Sequence, residues 1–135
     1  MTGVLGLNHL TLAVADLDVS LHFYVELLGA QAKVRWAKGA YLCLGDVWLC
    51  LSVSSEKVTT SGYTHYAFSV APERFAPLRE VLLANGVREW QTNTSEGDSF
   101  YFLDPDGHQL ELHVGDLDSR LASLKRTPYD GLQWI

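Results

Sequence analysis

The alternation of apolar and polar residues divides the chain into two similar halves. In residues 6–14 apolar and polar positions alternate, which predicts a strand with one buried face. From Leu17 the apolar residues follow a helical spacing that ends at Gly29, a natural helix stop. Residues 63–70 and the stretch up to Gly86 repeat this order, and further strands follow in each half. No linker or low-complexity segment separates the halves, so we expect a single domain.

The repeat places two histidines in the same position. Asn8 to Gly29 is echoed by Thr64 to Gly86, and His9 and His65 occupy equivalent positions in the two predicted strands. Equivalent residues of a duplicated unit meet across a pseudo-twofold axis, where two imidazoles can bind one metal ion. The repeat therefore indicates a candidate metal site.

A carboxylate completes this candidate ligand set. Glu111 stands where Cys50 stands in the first half, since each lies between two leucines of a predicted strand. Two histidines and one carboxylate suit a divalent cation such as Mn, Fe, Zn or Co, with positions left open for a substrate. A strand histidine taken alone is more often a hydrogen-bonded core residue. The duplication favours ligation, and Cys50 is expected to pack rather than to bind metal.

The first predicted hairpin fixes which side chains face each other in the first half. Gly45-Asp46 has the composition of a two-residue turn. This turn pairs Tyr41 with Cys50 and Cys43 with Trp48, so all four share one sheet face. The two cysteines lie diagonally across the hairpin, and we expect both to be reduced.

The second predicted hairpin brings Glu111 beside an aromatic residue. A three-residue loop, Pro105-Asp106-Gly107, places Tyr101 opposite Glu111, whereas a four-residue loop would place Phe100 there and turn an apolar ring toward a polar face. We therefore favour the shorter loop. Together the two hairpins predict one inner face that collects His9, Thr11, Tyr41, Trp48, Cys50, Tyr63, His65, Ser99, Tyr101 and Glu111.

Composition excludes several classes of function. The formal net charge of -6 argues against a nucleic-acid partner. The chain shows neither a signal peptide nor an apolar run long enough to span a bilayer, so we expect a cytoplasmic protein. Charged residues make up only 19% of the 135 residues, and burial against a second subunit is one explanation. Neither an activated nucleophile nor a glycine-rich phosphate loop is present.

The remaining histidines carry weaker expectations. His22 lies on a predicted helix and His108 in a turn, and both are expected at the surface. His113 has the parity of Glu111 but lies near the end of its strand, so we do not expect it to bind metal. A last short helix is predicted from about Asp116, with Arg120 beside its apolar stripe.

Several linked motifs resemble one family along essentially the whole chain. LNHLTLAVADL, GAYLCLG, VWLCLS, YTHYAF, SEGDSFYFLDPDGH and LELHVGDL are similar to glutathione-dependent fosfomycin resistance transferases (FosA type) of the vicinal oxygen chelate superfamily. The resemblance implies an α+β domain, residues 1–135, of two βαβββ modules, about 5–56 and 61–115, with a C-terminal helix and tail at about 116–135. It also implies a cup-shaped sheet and a domain-swapped homodimer in which each site draws on both chains.

The resemblance further implies an enzyme that opens the epoxide of fosfomycin with glutathione, using Mn(II) and activated by K+. His9, His65 and Glu111 match the metal ligands. Thr11 matches a residue that hydrogen-bonds the oxirane oxygen, and Tyr41 matches the tyrosine beside the incoming thiol. The positions that match contacts to the antibiotic are Trp48, Tyr63, Ser95, Tyr101 and Arg120. The positions that match a potassium-binding loop are Asn93, Ser95, Gly97 and Ser99.

The sequence departs from this family at two neighbouring positions. Gln91 replaces the family's usual lysine, and Thr94 occupies a position that is often basic. One phosphonate contact is thus expected to be weaker, and Lys38 is a candidate to compensate for it.

Three alternative functions remain open. Epoxide hydration, as in hydrolase relatives, is disfavoured because Gly39 occupies roughly the region of their glutamate. A protein that sequesters an antibiotic without metal would not need the three ligands. An iron dioxygenase would leave the phosphonate-binding residues unexplained.

Overall fold

The structure is a computed structural model that describes residues 3–59 and 62–135. Each half contains one strand, one helical segment and three more strands. The first half comprises β1 (His9–Val14), α1 (Leu17–Leu21), a π-helical segment (His22–Leu27), β2 (Gln31–Trp36), β3 (Gly39–Leu44) and β4 (Val47–Val53). The second half comprises β5 (Tyr66–Ser69), α2 (Pro72–Ala84), β6 (Glu89–Gln91), β7 (Ser99–Leu103) and β8 (Gln109–His113), and α3 (Leu117–Arg126) follows it. The predicted start of the second module, near residue 61, lies outside the described residues.

The eight strands form two separate four-stranded sheets. Sheet 1 has the order β1-β4-β3-β2 and sheet 2 the order β5-β8-β7-β6. In each sheet the first strand of the half runs parallel to the last, and the other neighbours are antiparallel. This repeated topology confirms the α+β fold of two βαβββ modules.

Both predicted hairpin registers are confirmed. Tyr41 lies opposite Cys50 and Cys43 opposite Trp48 in sheet 1. Tyr101 lies opposite Glu111 in sheet 2. The turns work as expected because a glycine takes the positive φ that each requires, +58° at Gly45 and +92° at Gly107. Both cysteines are free thiols.

The core lies between the sheets and the helical segments of both halves. Alternate residues of β1, β3 and β4 in sheet 1 and of β7 and β8 in sheet 2 point into it, together with side chains of the first helical region and α2. Its largest fully buried members are Leu12, Val14, Leu42, Leu49, Leu51, Tyr24, Leu82, Phe100, Phe102 and Leu110.

A polar clasp, formed by residues 104–108 of the second hairpin, ties the two halves together. Tyr24 donates a buried hydrogen bond to Asp104 at 2.6 Å. The Asp106 carboxylate accepts from the Ala15 amide at 2.8 Å. His108 Nε2 lies 2.8 Å from the carbonyl oxygen of Ala13 and donates to it. The expectation that His108 is a surface residue is therefore wrong: its ring is half-buried because it reaches back to the first strand.

The first helix also differs from the prediction of one continuous helix from Leu17. After Leu21 the hydrogen bonds lengthen to the π pattern, as in the bond from the Leu28 amide to the Phe23 carbonyl at 3.1 Å. A wider turn brings neighbouring side chains closer to one face, and Phe23 and Tyr24 are both buried. The second helix spans Pro72–Ala84 and tolerates Pro77 in its interior. No helix within the described residues is long and apolar enough to cross a membrane.

Candidate metal and anion site

His65 and Glu111 form the part of the candidate metal site that lies on sheet 2. Ala67 pairs with Glu111 across β5 and β8, and His65 lies just before β5 on the same face. His65 Nε2 lies 2.8 Å from Glu111 Oε1, and Nδ1 lies 2.7 Å from the Tyr63 carbonyl oxygen. The carbonyl can only accept, so Nδ1 carries the hydrogen and, in a neutral ring, the Nε2 lone pair faces the carboxylate.

His9 has the same arrangement on sheet 1. Its Nδ1 lies 2.8 Å from the side-chain oxygen of Asn8, and its ring packs on Trp48 with a centroid distance of 4.4 Å. Because Asn8 Oδ1 accepts, His9 also carries its hydrogen on Nδ1, and Nε2 is the nitrogen left for a cation. Metal-binding histidines typically have their second nitrogen engaged in this way. The two equivalent histidines thus share one tautomer.

The donor set fits a divalent cation. Two lone-pair acceptors, His65 Nε2 and Glu111 Oε1, lie 2.8 Å apart, and such a pair requires a proton or a cation to neutralise it. Glu111 is only 5% exposed, so an uncompensated carboxylate there would be costly. Nitrogen and carboxylate ligands with open positions suit Mn, Fe, Zn or Co.

A single chain does not assemble all three ligands. Across residues 3–59 and 62–135, no group of three or more His, Cys, Asp or Glu side chains is placed to hold a metal ion. His9 is exposed on sheet 1, whereas His65 and Glu111 lie on sheet 2. The predicted inner face is therefore divided between two sheets of the chain.

The sheet 1 half is lined by hydroxyls and aromatic rings. Thr11 and Tyr41 both pair with Cys50, so the three residues form one row across β1, β4 and β3. His9 and Trp48 form the adjacent row. Tyr41 and Trp48 are 37% and 38% exposed, although their rings pack edge to face at 5.3 Å. An open aromatic surface of this kind is typical of a face that another surface covers.

The sheet 2 half gathers phenols near His65. The ring of Tyr63 packs against His65 at 4.8 Å, and the ring of Tyr101 lies 5.7 Å from it. Gln91 donates from Nε2 to the Tyr63 hydroxyl at 3.0 Å. Burial, followed by the hydrogen bond with Tyr63, raises the pKa of Tyr101, and its hydrogen bond with Ser95 opposes the shift. Tyr101 is therefore a hydrogen-bond donor at neutral pH.

Arg120, on α3, is held beside Glu96, which lies in the loop between β6 and β7. Its Nε and Nη2 donate to the carboxylate and carbonyl oxygens of Glu96, both at 3.3 Å, and Nη1 donates to Tyr129 at 3.4 Å. α3 begins where it was predicted, with Asp116 as its N-cap. The guanidinium is a permanent cation, and the N–H groups that Glu96 and Tyr129 do not use can bind an anion.

The loop predicted to bind potassium is closed by its own hydrogen bonds. Asn93 donates to the Gly97 carbonyl at 2.9 Å, and the Ser95 amide and hydroxyl donate to Asn93 Oδ1 at 2.9 and 2.8 Å. Ser99, the last residue predicted to supply an oxygen, instead donates to Glu111 at 2.6 Å.

The sequence profile of the Glyoxalase/Bleomycin resistance protein/Dioxygenase superfamily matches residues 6–112. The chain belongs to this superfamily. It is 55% identical to the Glutathione transferase FosA of Serratia marcescens, across 94% of this chain and 93% of that protein. It is 37% identical to the Metallothiol transferase FosB of Shouchella clausii (strain KSM-K16), across 94% of this chain and 92% of that protein. Within the superfamily it therefore belongs to the group that contains these two transferases.

A solved structure of the group is also similar. A variant of the fosfomycin resistance protein FosX from Listeria monocytogenes, complexed with Mn(II) and 1S,2S-dihydroxypropylphosphonic acid, superposes with a TM-score of 0.79 at 29% identity. The match covers 87% of this chain and 98% of that one.

Two features of this superfamily member were not found by reasoning from the sequence. His113 lies 2.6 Å from Ser99 and 3.5 Å from Glu111, inside the candidate site. The sequence did contain a signal, because His113 lies two residues after Glu111 and therefore on the same strand face. Its position near the end of the strand led to the expectation that it lies outside the site. The hydrogen bond between Gln91 and Tyr63 joins residues on different segments and has no local signature.

Proposed function

We propose that this protein inactivates fosfomycin by adding glutathione to its epoxide carbon, with Mn(II) as the metal and K+ as an activator. The observation that carries the proposal is the pair of equivalent histidines, His9 and His65, each with Nδ1 bonded to an oxygen so that Nε2 remains for a cation. The 55% identity to a Glutathione transferase FosA supports the reaction, and the FosX complex with Mn(II) supports the metal.

We propose that the protein works as a domain-swapped homodimer. His9 would come from one subunit, and His65 and Glu111 from the other. The separation of these residues onto two sheets supports this arrangement, because no described part of one chain brings three ligands together. The exposed rings of Tyr41 and Trp48 offer a surface that a second copy would cover.

Two hydroxyls in the row formed by Thr11, Cys50 and Tyr41 would assist the reaction. Thr11 would act on the epoxide ring of fosfomycin, and Tyr41 on the thiol of glutathione. When bound, the cation supplies positive charge that favours the alkoxide left as the ring C–O bond breaks. Thr11 donates a hydrogen bond to that oxygen, which then takes up a proton from water. Tyr41 donates to the sulfur after the thiol has lost its proton to water, and the sulfur forms the new bond to carbon.

The sheet 2 half of the site would bind the phosphonate group of fosfomycin. Arg120 supplies a permanent charge, and the hydroxyls of Tyr63 and Tyr101 donate hydrogen bonds, as does that of Ser95 once it turns from Asn93 Oδ1. Trp48 packs against the apolar side of the antibiotic. The loop of Asn93, Ser95, Gly97 and Ser99 would hold K+ through carbonyl and side-chain oxygens, and the cation would neutralise further negative charge.

A stepwise assay tests the proposed reaction. Metal-free protein is incubated with fosfomycin, then Mn(II), glutathione and K+ are added in turn, and phosphorus NMR follows the products. We expect a glutathione adduct only after Mn(II) and glutathione are both present, and faster formation with K+. A diol without thiol would indicate the hydrolase alternative. Fosfomycin that binds without metal and stays unchanged after all additions would indicate a sequestering protein, and either result would refute the proposal.

A further inference from the structure

Two further side chains hold the Glu111 carboxylate from the side opposite His65. Ser99 Oγ donates to Glu111 Oε2 at 2.6 Å and lies 2.6 Å from His113 Nδ1. The hydroxyl has a single hydrogen, which goes to the carboxylate, so the histidine must donate from Nδ1 to the hydroxyl oxygen. The hydrogen bonds therefore run in one direction, from His113 through Ser99 to Glu111.

The backbone provides a slot for the His113 ring. A Cβ on Gly97 would lie 3.1 Å from His113 Cε1, and a Cβ on Gly115 would lie 3.1 Å from Nε2. Both glycines have positive φ, +79° and +129°, which L side chains rarely adopt. The imidazole is only 15% exposed. The loop before β7 and the turn after β8 are thus shaped to seat an imidazole in one orientation.

We propose that His113 and Ser99 are positioning residues for Glu111. They hold Oε2 and leave Oε1, the oxygen that faces His65 Nε2, to bind the cation. This inference rests on the proposed function, because it takes Glu111 as a metal ligand. A glutamate side chain has several rotatable bonds, so a hydrogen bond that fixes one carboxylate oxygen orients the other before metal binds.

This role differs from the potassium-binding role that the resemblance implies for Ser99. If Ser99 only supplies an oxygen to K+, its loss should not affect divalent metal binding in potassium-free buffer. If it positions Glu111, its loss should weaken metal binding whether or not K+ is present. The two roles are thus separable in one titration.

The first experiment measures Mn(II) affinity by EPR in potassium-free buffer, using the whole 135-residue chain. Ser99→Ala and His113→Leu should each weaken binding by about 10-fold to 100-fold, the range for loss of a residue that orients a ligand. Ser99→Thr keeps the hydroxyl and His113→Asn keeps an N–H donor, so both should recover most of the affinity. His22→Leu, at an exposed position outside the site, is the matched control and should bind as the wild type does.

The second experiment reads the hydrogen bonds directly, by nitrogen-15 NMR of the histidine rings in the metal-free protein. We expect His113 to carry its hydrogen on Nδ1 and to lose this fixed tautomer in Ser99→Ala. Unchanged Mn(II) affinity in Ser99→Ala, or an equal loss in His113→Asn and His113→Leu, would overturn the positioning role alone. Absence of Mn(II) binding by the wild type would refute the metal assignment and, with it, this role.

Discussion

The division of the ligands between two sheets makes a quantitative prediction about mixtures of variants. His9→Ala and His65→Ala should each be inactive, since each removes a ligand from both sites of a swapped dimer. In a dimer that contains one copy of each variant, one site combines both defects and the other combines two intact halves. Random exchange makes half of the dimers mixed, so activity should return to about a quarter of the wild-type value.

The assay mixes the two purified variants in equal amounts, exchanges subunits by brief unfolding and refolding, and measures adduct formation with fosfomycin and glutathione. A mixture of His65→Ala with Glu111→Ala is the matched control. Both of these ligands lie on sheet 2, so every site in their mixed dimer lacks one ligand and activity should stay absent. Failure of the first mixture to recover activity, or recovery in the control, would refute the swapped arrangement.

Further predictions concern the clasp between the halves, the anion site and the metal. Tyr24→Phe leaves Asp104 without its 2.6 Å donor in the core, and should lower the free energy of unfolding in urea by about 1 to 3 kcal/mol. Burial, and then the charge of Asp104, raises the pKa of Tyr24. The unfolded chain loses the Tyr24 hydroxyl proton near pH 10, whereas the folded protein keeps it, so the free energy of unfolding should fall above about pH 10. The fall should be less steep in Tyr24→Phe, which lacks this hydroxyl. Curves of stability against pH with the same slope in both proteins would contradict this. Gln91→Lys should raise kcat/KM for fosfomycin about tenfold, because it adds a charged hydrogen-bond donor. Gln31→Lys adds the same charge at an exposed strand position and should leave kcat/KM unchanged. Equal increases in the two variants would show that the added net charge, and not a contact at position 91, is responsible. Treatment with a chelator should abolish adduct formation, Mn(II) should restore it, and full activity after metal removal would exclude a metal role.

Local patterns in the sequence were enough to predict the registers of both hairpins. Alternation assigns each residue to a sheet face, and turn composition sets the partner across the hairpin. Tyr41 therefore lies opposite Cys50, and Tyr101 opposite Glu111, as expected. The duplication likewise identified His9 and His65 as equivalent, because equivalence within a repeat is visible without knowing how the repeats pack.

The sequence by itself thus determined the two modules, their strand faces and the candidate ligands. The tertiary structure alone decided that His9 lies on a different sheet from His65 and Glu111, that His108 reaches Ala13, and that His113 lies behind Ser99. Alternation reports which residues share a face, but it holds no information on which face of one sheet meets another element. The contact of His108 depends on how the halves pack, because it joins residues far apart in the chain. The place of the His113 ring depends on the backbone shape at Gly97 and Gly115, which only the folded loops set.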